Sequence, residues 1–148
     1  MTLNRKNMMD ILLIIISIII VLLAPFGYHI DLGPGPNSVT AILWDYSTNY
    51  SFRYFVALQY YVEFYVFRFV IMLALIGFLS LKLSRKWLLL TGIFGELIPL
   101  ILSIPASLIL NSEGENLIPI IISIPILLVF VVVVALIYPK FYTKSEKP

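Results

Sequence analysis

Residues 117–138 read Leu-Ile-Pro-Ile-Ile-Ile-Ser-Ile-Pro-Ile-Leu-Leu-Val-Phe-Val-Val-Val-Val-Ala-Leu-Ile-Tyr, without one charged side chain. A helix needs about 20 apolar residues to cross a hydrocarbon core of about 30 Å. This stretch has that length. Periodicity alone does not separate helix from strand in so uniformly apolar a run. Length does: a membrane strand needs about 10 residues and alternates polar with apolar. Read on that rule, residues 117–138 form the last of four spans. The others are residues 10–27, 54–81 and 87–110.

The whole composition points the same way. The chain of 148 residues is 61% hydrophobic and 12% charged, with a mean hydropathy of +1.02. Ordinary soluble chains carry about 25% charged residues. The sequence therefore predicts an all-α integral membrane protein: a single domain over residues 1–148, built as an antiparallel bundle of four transmembrane helices and placed multi-pass in the cell membrane. Residues 28–53 form its outer loop. The first stretch has a basic start, but Pro25 follows Ala24 directly and no Ala-x-Ala pattern precedes it. It reads as an uncleaved helix, not a signal peptide.

Orientation follows from the basic residues. Arg5 and Lys6 precede the first span, Lys82, Arg85 and Lys86 lie between the second and third, and Lys140, Lys144 and Lys147 follow the fourth. The opposite loops hold Arg53 alone. The positive-inside rule puts both termini and residues 82–86 in the cytoplasm. Residues 28–52 and 111–116 then lie outside.

The outer loop holds a turn cluster, Gly33-Pro34-Gly35-Pro36-Asn37, and a short apolar run from Val39 to Trp44 that reads as a strand or an interfacial helix. Trp44, Tyr46, Tyr50, Tyr54, Tyr60 and Tyr61 read as an aromatic belt at headgroup level. Asn49-Tyr50-Ser51 fits the glycosylation acceptor pattern, which makes Asn49 a candidate site. His29 and Asp31 lack the further ligand a metal site needs.

Residues 97–105, Leu-Ile-Pro-Leu-Ile-Leu-Ser-Ile-Pro, and residues 117–125 repeat one box with Leu exchanged for Ile at two positions. Pro119 falls in a first helical turn, where it is harmless. Pro99, Pro105 and Pro125 would each leave a carbonyl four residues back unbonded and kink its helix. Gly92, Glu96, Pro99 and Ser103, followed by Ala106 or Ser107, recur at spacings of three and four. They share one helix face, which should pack inward while the Leu and Ile face meets lipid.

Glu63, Arg68 and Glu96 sit at membrane depth, where an ionisable group is a functional candidate by default. Arg68 is five residues from Glu63, about 140° around the helix, so the two do not form a same-face pair. Arg68 is expected to pair with Glu96 instead. Gln59, Glu63, Ser103 and Ser123 form a candidate polar cluster.

With no cysteine and one histidine, thiolate and metal chemistry find no motif, and no cofactor or metal is expected. A net charge of +2 argues against nucleic acid. The expected function is non-catalytic, as a subunit or assembly partner of a larger membrane complex. The alternative is a small oligomeric transporter or channel using Glu63, Arg68 and Glu96. The expected partners are the lipid bilayer and other membrane subunits, or a second copy of the chain.

Overall fold

The computed structural model describes residues 5–30, 37–47, 51–55, 62–80, 82–112 and 120–145. Helix α1, Arg5–Leu23, ends where Pro25 offers no amide hydrogen and disfavours a helical conformation at Ala24. The chain then turns into strand β1, Gly27–Ile30. Strands β2, Ser38–Thr40, β3, Trp44–Ser47, and β4, Ser51–Tyr54, follow. Helix α2 is Val62–Leu79 and helix α3 is Arg85–Ser112. Strand β5, Ile120–Ser123, and helix α4, Ile126–Ser145, complete the order. The sheet is antiparallel throughout and runs β4-β3-β2-β1-β5.

This overturns the all-α reading. The fold is α/β: among the described residues, four helices pack on a five-stranded antiparallel sheet. The described residues of the outer loop are mostly strand. The stretch expected as a fourth span divides at Ile124-Pro125 into a strand and a helix. The second expected span includes Tyr54, which ends β4, and α2 starts at Val62. Among the described residues one helix is long and apolar enough to cross a membrane, over Arg85–Pro105 of α3. The apolar parts of the others, Asn7–Leu23, Tyr65–Leu79 and Ile126–Tyr138, are shorter. With the four-span bundle go the multi-pass cell-membrane placement, the cytoplasmic assignment of both termini that rested on it, and both readings built on it: membrane-complex subunit, and transporter or channel.

The repeated box explains the error. In α3 it is helical, with Pro99 and Pro105 inside the helix. In the second copy residues 120–123 are strand. The two positions that differ are Leu100 and Leu102 in the helix against Ile120 and Ile122 in the strand. Leu favours helix and β-branched Ile favours strand, but only by tenths of a kcal/mol each. Context supplies the rest. Ile120–Ser123 lies against β1 in register, with Tyr28 opposite Ile122 and His29 opposite Ile121. Pro125 is then not a kink inside a helix. It opens α4, its carbonyl accepting from the Val129 amide at 3.0 Å.

The helical core is made by Val21 of α1, Ile71 and Leu75 of α2, Leu88 of α3 and Leu127 and Val131 of α4, all fully buried. Gly92, Glu96, Pro99 and Ser103 are buried on the inner side of α3. At Gly95 a Cβ would stand 2.7 Å from the Ile71 side chain and 3.4 Å from the Phe67 carbonyl. Gly95→Ala should gain helix propensity yet still destabilise by about 1–2 kcal/mol through overpacking. Denaturant unfolding checks this; a stabilised variant would show that α2 and α3 do not meet so closely.

Candidate functional site: a buried arginine where helices meet sheet

Two helix ends lie side by side where the helices join the sheet. α1 arrives at β1 through Ala24-Pro25, and β5 leaves for α4 through Ile124-Pro125. Because β1 and β5 pair, these links are neighbours. Helix ends leave carbonyls and amides unbonded. Arg68, 2% exposed in the middle of α2, answers the carbonyls. Its Nη1 donates to the Ala24 carbonyl at 2.9 Å, and its Nη2 to those of Pro25 at 2.9 Å and Ile124 at 3.0 Å. A planar guanidinium with donors in a fixed fork suits this task.

Glu96 of α3 stands beside it, Oε1 at 3.5 Å from Arg68 Nη2. Ser123 Oγ donates to Glu96 Oε2 at 2.7 Å. The Leu128 amide, in the first turn of α4, also bonds the carboxylate. The cation therefore meets the carboxyl end of α1 and the anion the amino end of α4, as the two helix dipoles favour. Ser103 completes the seam. It donates to the Leu100 carbonyl at 3.1 Å and accepts the Ile121 amide at 3.2 Å, so α3 covers the β5 edge.

Of the residues singled out in the sequence, Arg68, Glu96 and Ser123 thus come together, and Ser103 lies further along α3, bonded to the backbone of Leu100 and Ile121. Glu63 is the second residue of α2, and its side chain lies outside what is described. Gln59 and Asn49 lie outside the described residues.

The sheet carries a second set that the sequence reading missed. Its inner face is polar. Asp45, 1% exposed, accepts from Thr40 Oγ1 at 2.7 Å and from Arg53 Nε at 3.0 Å, with Arg53 Nη2 as a further ion-pair partner. His29, Ser38 and Ser47 are buried in the neighbouring row, in register across β1, β2 and β3. The outer face is the apolar one. Phe52, Tyr46, Val39, Tyr28 and Ile122 align across all five strands. Tyr28, Asn37, Ser38, Val39 and Tyr46 line a shallow cavity of about 150 Å³ there. The signal was available in the alternation Ser38-Val-Thr40 and Asp45-Tyr-Ser47. Trp44, read as part of the aromatic belt, donates its Nε1 to the Leu23 carbonyl at the end of α1, 2.8 Å away.

Among the described residues no three His, Cys, Asp or Glu side chains gather as a metal site. Comparison with protein-family models, with curated proteins and with solved structures finds no match to this chain.

Proposed function

We propose that the chain is a non-catalytic, lipid-contacting α/β domain, with α3 as the one candidate crossing among the described residues. The observation that carries this reading is the exposure of α3. Only 33% of its apolar window is buried against the rest of the chain. A core helix of a globule would be mostly covered. Here Phe94, Leu97, Ile101 and Ile104 form an exposed stripe at spacings of three and four. Exposed apolar side chains also line α1 at Ile11, Ile15 and Ile19, and α4 at Val129, Val133 and Leu136. Exposed apolar stripes on three helices exceed the singly scattered apolar residues of an ordinary surface and mark a contact with lipid or protein.

The non-catalytic part rests on what the buried charges already do. Arg68 is taken up by three carbonyls, and Asp45 by Thr40 and Arg53. These are holding roles within the fold.

Extraction of membranes with alkaline carbonate tests the reading. The chain should stay in the pellet and float with vesicles on a gradient. Ile101→Lys, on the exposed stripe, should weaken retention by on the order of 100-fold, since a charge deep in a bilayer costs about 2.5–3.5 kcal/mol. Release of the unaltered chain into the supernatant would overturn the proposal.

A further inference from the structure

The helices give the molecule two unlike ends. α1 runs toward the sheet and α4 away from it, while α2 ends and α3 begins at the turn around Lys82. Arg5 and Lys6 at the start of α1, Lys82, Arg85 and Lys86 at the α2–α3 turn, and Lys140 and Lys144 late in α4 therefore share the end away from the sheet. The other described cations, Arg53 and Arg68, lie with the sheet and are engaged there. Among the described residues, the acid placed toward the basic end is Asp10, and its Oδ1 accepts from the Tyr138 hydroxyl at 2.6 Å.

Backbone hydrogen bonds fix the path of the turn. The Lys82 and Leu83 amides both donate to the Gly77 carbonyl, at 2.9 and 3.0 Å, and the Ser84 carbonyl accepts from the Leu88 amide at 3.1 Å as α3 starts. Lys82, Arg85 and Lys86 are all exposed. Along α3 the chemistry then changes in order. After the cations comes Trp87, 59% exposed, and after it the exposed Ile93 and Phe94. Cation, indole and hydrocarbon is the order of phosphate, interface and acyl chain in a leaflet.

We infer that the α2–α3 turn is a docking surface for anionic phospholipid headgroups, with Lys82, Arg85 and Lys86 on the phosphates and Trp87 at the glycerol level. This inference rests on the lipid contact proposed above and names the lipid class. A basic side chain near an anionic surface strengthens attraction roughly fivefold, so three together give a preference on the order of 100-fold at low salt. Salt should weaken it, because the cations are exposed.

The chain has no cysteine, so Ser84→Cys gives a single labelling position in the turn. The full chain, labelled there with a fluorophore and reconstituted in phosphatidylcholine vesicles, is given traces of acyl-chain-labelled acceptor lipid. That lipid is phosphatidylglycerol in one arm and phosphatidylethanolamine in the other. The expected result is stronger energy transfer to the anionic lipid at low salt, lost at high salt and in a Lys82→Ala, Arg85→Ala, Lys86→Ala variant. Equal transfer to both lipids would overturn the headgroup selection and leave lipid contact standing. Transfer to neither would overturn both readings.

Discussion

Arg68→Met should be the most damaging single substitution in the molecule, with a loss of about 3–5 kcal/mol in denaturant unfolding. The Ala24 and Pro25 carbonyls lose the donor that Arg68 gives them, the Ile124 carbonyl is left with the Ile126 amide alone, and Glu96 is left buried beside an apolar side chain. The two parts of that loss are separable. Adding Glu96→Gln removes the stranded charge, and the amide still accepts from Ser123. It does nothing for the carbonyls of Ala24, Pro25 and Ile124. The double variant should therefore recover only a minor share of the loss. Arg68→Lys should stay well below the parent, because one ammonium does not reproduce the fork that reaches both chain links. Full recovery in the double variant would mean that the ion pair, and not the carbonyl capping, holds the junction.

That junction shows where sequence reasoning reached and where it stopped. Helix spacing identified Glu96 as inward-facing, and the 140° offset set Glu63 aside as a same-helix partner of Arg68. These arguments use a helix's own geometry, and α2 and α3 are helices. What the spacing did not reveal is that Arg68 spends its donors on carbonyls at positions 24, 25 and 124. Such contacts exist only after β1 and β5 have paired, far apart in the chain. The strands were hidden for two reasons. Residues 117–125 repeat a segment that is helical elsewhere in the same chain, so local propensity was nearly balanced. The strands of residues 27–54 are only three or four residues long, and they turn their polar side chains inward. A length rule built for membrane spans passes over both. It leaves Ser38 and Asp45 in the outer loop and takes Thr40 only as part of the run Val39–Trp44, read as a strand or an interfacial helix, whereas the alternation of all three places them on one sheet face.

That inward polar face leads to an expected acid sensitivity centred on His29. The imidazole is 2% exposed. It lies edge-on to Phe26 at 5.9 Å, with Ile121 opposite it on β5. Burial away from water pushes its pKa down from 6.5 to about 4, against a smaller upward pull from Asp45. Because the folded value lies below the ordinary one, the unfolded chain takes up this proton first. The stabilisation is complete above pH 6.5 and is lost as the pH falls toward 4. The gap from 6.5 to about 4 corresponds to about 3 kcal/mol. Over most of that window stability should fall by about 1.4 kcal/mol per pH unit. Denaturant midpoints of the parent and of His29→Gln, compared between pH 7 and pH 5, separate this proton from the carboxylates that titrate lower. The substituted chain should show a nearly flat profile where the parent slopes. NMR titration of the imidazole should place its midpoint near pH 4 while the protein stays folded. If the two chains keep parallel slopes, His29 takes up its proton at no cost to the fold. The inner face of the sheet would then be open to water, and the packing of the helices over β1 would have to be redrawn.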